Sequence, residues 1–148
     1  MKIISVIPAR GNSKSIPLKN LAKLNNKPLI YYSIKQSLKC KLINRTIVST
    51  DSKLIAKISK KYGAEVPFLR PKNLSKDSSK DRGFFEHLLK WLKDNENYRP
   101  DLIVQLRPTN PLRSQKMILK AINSMKKNTK ADSLRSISIP ERSPYKMW

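Results

Sequence analysis

The chain has 148 residues, 39% of them hydrophobic, one cysteine (Cys40), and a formal net charge of +22 from 32 Lys and Arg against 10 Asp and Glu. That length suits a single domain, and the periodic apolar blocks exclude disorder throughout; no apolar run approaches the ~20 residues of a membrane span, and the N-terminus lacks the build of a signal peptide. One cysteine excludes an intrachain disulfide and makes the cytoplasm the default location.

Residues 2–7 predict a buried strand, short and rich in β-branched side chains. A small-residue loop over 8–20 follows, Pro-Ala-Arg-Gly-Asn-Ser-Lys-Ser-Ile-Pro-Leu-Lys-Asn. Pro28 opens a helix that runs to Leu38, because proline at a first helical position needs no N–H partner. Residues 43–50 predict a second strand. Asp51 or Ser52 caps a helix over 53–62, with Leu54, Ile55 and Ile58 on one face and Gly63 as its C-terminal cap. Residues 65–69 predict a short third strand, and 70–80 an ordered polar loop. Residues 81–93 predict a helix whose apolar stripe is Phe84, Phe85, Leu88, Leu89 and Leu92. A fourth strand is expected over 102–106, then a loop over 107–113 stiffened by Pro108 and Pro111. From Ser114 or Gln115 to Lys127 the pattern is helical, with Met117, Ile118, Ala121, Ile122 and Met125 facing inward. Residues 131–139 predict a fifth strand.

Strands and helices alternate with short connections, which implies an α/β fold: a three-layer, Rossmann-like arrangement with a mostly parallel sheet. In such sheets ligands bind outside the carboxyl ends of the strands. The loops over 8–20, 50–52 and 107–113, and the one that starts at Arg70, fall there. Topology therefore gathers Arg10, Lys14, Lys19, Asn20, Arg70 and Arg107 near one crevice.

The first loop is neither a P-loop nor a dinucleotide fingerprint, since Gly11 stands alone in it. Its backbone N–H groups and the cations Arg10, Lys14 and Lys19 instead suit a phosphate. Fixed cations also lower the barrier to in-line attack at phosphorus by stabilising charge on the leaving group. Ser13 can donate a hydroxyl to a phosphate oxygen, and Asn20 offers the paired donor and acceptor that a base edge needs. The remaining features have plainer readings. Lys23 and Lys27 are solvated charges, and Arg113 caps or pairs. His87 has no carboxylate or serine partner at matching spacing. Cys40 is a small buried residue, and Phe84, Phe85 and Trp91 have core spacing. The charge itself is Lys spread over every segment, a compositional bias more than a nucleic-acid face with clustered Arg and interleaved aromatics.

Residues 7–20, together with Val48-Ser49-Thr50-Asp51-Ser52, Leu69-Arg70-Pro71 with Leu74 and Asp77, Leu106-Arg107-Pro108-Thr109-Asn110-Pro111-Leu112-Arg113, and Ser143-Pro144-Tyr145-Lys146-Met147-Trp148, resemble in order the motifs of acylneuraminate cytidylyltransferases, the CMP-sialic acid synthetases. The resemblance implies a nucleotidyltransferase fold. It also implies transfer of CMP from CTP to the anomeric hydroxyl of an acidic nine-carbon keto-acid sugar, with release of pyrophosphate and use of Mg²⁺. By matching position, Arg10, Lys14 and Lys19 are the catalytic cations, and Ser13 joins them on the triphosphate. Ala9 and Asn12 belong to the substrate-binding loop, and Asn20 and Arg70 read the cytosine. Arg107 stands near the acceptor, where many relatives have Gln. Ser15 replaces a usual Gly, which strains a loop that must approach a phosphate closely. The family's metal-binding aspartates, much of its acceptor site and its dimerisation extension correspond to sequence beyond Trp148. The expectation is thus one nucleotide-binding domain over 1–148, incomplete at its C-terminus, without metal ligands of its own and with dimerisation in doubt. Two alternatives stand beside it. One is a nucleotidyltransferase for 3-deoxy-octulosonate or another sugar. The other is an inactive fragment or basic nucleotide- or nucleic-acid-binding module, whose binding collapses with salt and ignores base identity.

Overall fold

The computed structural model describes residues 1–12, 16–76 and 78–137. Ser13, Lys14, Ser15, Asp77 and the motif over 143–148 lie outside them. Strand β1 (Ile3–Pro8) comes first, followed by a short antiparallel pair, β2 (Lys23–Leu24) and β3 (Lys27–Pro28). Next come α1 (Leu29–Leu38), β4 (Arg45–Ser49) and α2 (Lys53–Lys61). Then come α3 (Asp81–Glu96), β5 (Leu102–Gln105) and α4 (Gln115–Lys127), with single 3-10 turns at Lys19–Leu21 and Lys72–Leu74. β1 is the centre of a three-stranded sheet in the order β4-β1-β5, parallel on both sides.

The period-2 alternation of these strands sorts their side chains into two cores. Ile3 and Ile7 of β1 and Val48 of β4 join Ile30 and Ile34 of α1, Ile55 of α2, and Ile118 and Ile122 of α4 on one face. Ile4 and Val6 of β1 and Ile47 of β4 meet Phe84, Leu88 and Leu92 of α3 on the other. Helices thus cover both faces, and this is the expected α/β arrangement of layers. Three buried hydroxyls on the first face pair with one another: Ser37 Oγ lies 2.5 Å from Ser5 Oγ and 2.6 Å from Thr46 Oγ1, which ties α1 to β1 and β4. The helix ends behave as their chemistry requires. Ser52 and Ser114 accept from the N–H groups of Ile55 and Met117. Gly63 follows α2 at φ +94°, a conformation that glycine adopts without strain.

Three expectations about elements need correction. Residues 65–69 do not form a strand. Glu65 N donates to Thr46 O and Val48 N donates to Glu65 O, which makes one parallel bridge to Ile47. The next donor in that ladder would be Pro67, which has no N–H, so the pairing stops. Residues 131–137 are irregular, with Leu134 and Ile137 exposed, and residues 138 and 139 lie outside the described residues. An extended segment without a neighbouring strand has nothing to satisfy its backbone. The β2–β3 hairpin adds an element that the apolar periodicity does not predict. Its turn is Asn25-Asn26, both at positive φ (47° and 61°). The Asn-Asn pair between Leu24 and Lys27 is the signal for it, because Asn tolerates that region. Pro28 sits one position outside its expected place, as the N-cap of α1.

Candidate active site

The chain leaves β1 for β4 on one side and later runs up β5 on the other. The loops after β1 and β5 diverge, and a crevice opens at the carboxyl ends of the strands. It has a volume of about 270 Å³ and is lined by Arg10, Lys19 and Asn20 of the first loop, Arg70 and Lys76 of the segment between α2 and α3, and Arg107 after β5. Five of the expected site residues therefore converge: Arg10, Lys19, Asn20, Arg70 and Arg107.

Each is held by a different local device. The first loop is anchored at Ala9, whose N–H donates to Ser49 O at 3.0 Å. Gly11 N donates to Asp51 Oδ1 at 2.8 Å, and a Cβ there would lie 3.1 Å from Ser52 Cβ. The loop thus passes so close to the β4–α2 turn that a side chain would have to displace it. Asn20 is buried, and its Nδ2 donates to Arg10 O at 2.9 Å, so its amide fastens the two ends of the loop together. That bond uses one of the two N–H groups of the amide, which leaves the other N–H and the amide oxygen.

Arg70 is buried, at 6% exposure. Its Nε donates to Ser49 Oγ at 3.0 Å, its Nη2 to Ser49 O at 2.5 Å, and its guanidinium carbon stands 4.7 Å from the Phe84 ring centre. Burial pushes its pKa down, Asp51 and Asp81 oppose that, and Arg10 reinforces it. Arg107 is held by the carboxylate of Asp81 at the start of α3. Gln105 Nε2 donates to the same carboxylate oxygen at 3.1 Å. The loop that carries Arg107 is fastened to α1 by Gln36, whose Nε2 donates to Pro111 O at 2.7 Å and Arg113 O at 2.9 Å. Arg113 returns a bond from Nη1 to Gln36 Oε1 at 3.0 Å, and burial lowers its pKa. Arg113 thus pairs with α1 through Gln36.

The other expected loop residues are placed elsewhere. Ala9 has 0% exposure and packs in the first core, and Asn12 is exposed away from the lining. His87 sits edge-on to Phe68 at 4.6 Å between ring centres, with its Nδ1 buried, so burial and the nearby Arg70 lower its pKa. Cys40 is buried and free, and Lys23 and Lys27 are exposed. The residues that sequence reasoning missed are Asp81, Gln105, Lys76 and Gln36. No local motif marks them: Asp81 meets Arg107 across 26 positions, and Gln36 meets Pro111 across 75.

Among the described residues, no group of three or more His, Cys, Asp or Glu side chains is placed to hold a metal ion. The acid in the lining, Asp81, is taken up by Arg107 and Gln105. This donor set does not fit a divalent cation. What the arrangement does supply is a concave cluster of cations around one carboxylate, a setting for phosphates.

A family model described as cytidylyltransferase matches residues 4–143. The chain is 35% identical over 128 residues to the pseudaminic acid cytidylyltransferase of Campylobacter jejuni, covering 86% of this chain and 55% of that protein. It is 38% identical over 122 residues to the CMP-N,N'-diacetyllegionaminic acid synthase of Legionella pneumophila, covering 82% of this chain and 52% of the relative. The chain thus spans about half the length of these curated relatives. Among solved structures, CMP:2-keto-3-deoxy-manno-octonic acid synthetase complexed with CTP superposes with a TM-score of 0.70 at 19% identity, over 87% of this chain and 49% of that one, which shows the shared fold. No helix among the described residues is long and apolar enough to cross a membrane.

Proposed function

The chain belongs to the cytidylyltransferase family, and on that premise we propose that its crevice binds CTP and that the whole protein transfers CMP to an acidic nine-carbon keto-acid sugar, releasing pyrophosphate. The observation that carries this reading is the convergence of Arg10, Lys19, Asn20, Arg70 and Arg107 on one cavity at the carboxyl ends of β1 and β5. In it, Arg10 and Lys19, with Ser13 and Lys14 from the same loop, hold the triphosphate. Asn20 presents its amide oxygen to the exocyclic amine of cytosine while its nitrogen keeps the loop closed. Arg70 fixes the wall against which the base rests, and Arg107 faces the acceptor.

The chemistry is in-line displacement at the α-phosphorus. The oxygen of the acceptor hydroxyl forms a P–O bond as its proton passes to water, the bond to the bridging oxygen breaks, and pyrophosphate leaves with the electron pair. Charge grows on the leaving group, and cations already fixed around it stabilise that charge without reorganising. Losing one such contact typically slows a reaction by about 10²–10³. A divalent cation belongs to this reading, to neutralise the phosphates, with donors other than the described residues. We place the activity in the cytoplasm, in keeping with a lone buried thiol, and assign the chain 1–148 to the nucleotide-binding part of the protein.

The test is calorimetric titration with CTP and with ATP at fixed, near-physiological salt. Tighter binding of CTP is expected, and Asn20→Ala should weaken CTP more than ATP, so that the preference is lost; equal weakening of both would remove its base-reading role. Equal binding of the two nucleotides, weakening together as salt rises, would mean a generic basic surface and would sink the proposal.

A further inference from the structure

Arg10, Lys19, Arg70, Lys76 and Arg107 make the crevice strongly cationic, yet its lining includes the carboxylate of Asp81. Asp81 accepts from Arg107 Nη2 and from Gln105 Nε2. Gln105, the last residue of β5, and Arg107, two positions further on, both reach this one carboxylate oxygen. Asp81 is the first residue of α3, where the helix terminus favours negative charge. Both members of the ion pair are accessible, Arg107 at 57% and Asp81 at 45% of side-chain area.

We propose that Asp81 is a positioning residue that holds Arg107 at the lip of the crevice in place of an anionic ligand group, and that a ligand's phosphate or carboxylate takes Arg107 over by displacing Asp81. The inference deepens the cytidylyltransferase reading and rests on it. An anionic oxygen replaces the carboxylate on Arg107 with a bond of the same charge-assisted kind. A neutral ligand has no equal bond to offer, so the pair selects for anions. Exchange is cheap on the protein's side, because the released carboxylate keeps Gln105, the helix terminus and water. Arg70 is the contrast: its guanidinium is buried on Ser49 and Phe84, and the side-chain hydrogen bonds that hold it go to Ser49.

The experiment is titration of the full chain at fixed salt with CTP, N-acetylneuraminate and cytidine. Asp81→Asn keeps an oxygen for Gln105 and removes the charge; Asp81→Ser keeps a good residue at the helix start. For both variants, affinity for the anionic probe that uses Arg107 is expected to rise about three- to fivefold, the scale of an exposed ion pair, with cytidine unchanged. The gain should vanish in an Arg107→Gln background. A gain for CTP alone identifies the displacing group as a phosphate, and a gain for N-acetylneuraminate alone as a carboxylate. No gain for either anion, an equal gain for cytidine, or a gain that survives Arg107→Gln overturns the exchange. If the variants do not fold, the Arg107 Nε–H resonance of the unsubstituted chain decides. It should move when the crevice is saturated with CTP or N-acetylneuraminate, and immobility with both overturns the exchange. The unsubstituted chain is titrated with CTP and ATP alongside. Preference for CTP without an Asp81 effect removes the exchange alone, whereas no preference removes the cytidylyltransferase reading.

Discussion

Arg70 and Arg107 face one crevice from the two sides of β1, and they are built in opposite ways. On the β4 side, Arg70 is buried and bonded to both the side chain and the backbone carbonyl of Ser49, under the ring of Phe84. On the β5 side, Arg107 is exposed and held by a similarly accessible acid. A buried guanidinium with fixed partners is part of the fold, because removing it strands those partners away from water. An exposed one paired with an accessible carboxylate contributes little to folding and is available for ligand. One wall of the crevice is therefore architecture, and the other is adjustable.

Replacing Arg70 is the strongest way to break that contrast. Arg70→Ala removes two hydrogen bonds from Ser49 and the ring contact with Phe84, and should cost about 2–4 kcal/mol of stability. Urea denaturation read by circular dichroism checks it; a change below about 0.5 kcal/mol, the range of ordinary surface substitutions, would put Arg70 in the same class as Arg107. Next in size is Gln36→Ala, which cuts the amide bonds to Pro111, Arg113 and the Arg113 side chain. We expect a loss of about 1–2 kcal/mol, together with faster amide exchange across residues 107–113. If exchange there stays slow, the loop is held by its two prolines and not by α1.

The difference between the two walls also sets what is legible in the sequence. The fold is readable because each strand of the parallel sheet carries its own pattern: residues 3–8 are largely apolar on both faces, as the centre of a covered parallel sheet must be. The arginines are readable as crevice residues from topology alone, since strand carboxyl ends define where ligands bind. How each is held is not readable. Ser49, Phe84, Asp81 and Gln36 reach their partners across long separations, for example 21 positions between Arg70 and Ser49 and 26 between Arg107 and Asp81, and no local spacing encodes such meetings. The expectation of a third strand fails for a local reason that is visible in the sequence, Pro67, whose missing N–H outweighs the β propensity of Val66 and Phe68. The hairpin at Asn25-Asn26 escapes a reading based on apolar periodicity, although its turn residues are in view.

A smaller effect probes the architecture side through protons. His87 packs on Phe68 behind Arg70, and burial first, then the Arg70 charge, lowers its pKa from the ordinary 6.5. A base whose pKa is lower in the folded state binds fewer protons there than in the unfolded chain. Its neutral form therefore supports the fold fully above pH 6.5, and that support falls as pH drops through 6.5 toward the lowered value. The loss should be small, because solvent screens a partly exposed ring. His87→Phe keeps the ring contact and should flatten the acid side of the stability curve; an unchanged curve would assign the acid loss to other groups.

The smallest effect on folding comes from Arg107, and it is the most telling. In Arg107→Ala the ion pair with Asp81 is gone, but both groups were already accessible to water, so neither is left stranded. Asp81 keeps Gln105 and its place at the head of α3. Stability should change by no more than ~0.5 kcal/mol, and by less as salt rises, since exposed pairs are screened. Binding is expected to respond differently, with weaker uptake of the anionic ligand at unchanged stability. A melting temperature that moves as far as that of Arg70→Ala would erase the distinction between the two walls. A melting temperature that holds while anion affinity falls would separate folding from recognition at a single residue, and would place the adjustable part of the crevice on β5.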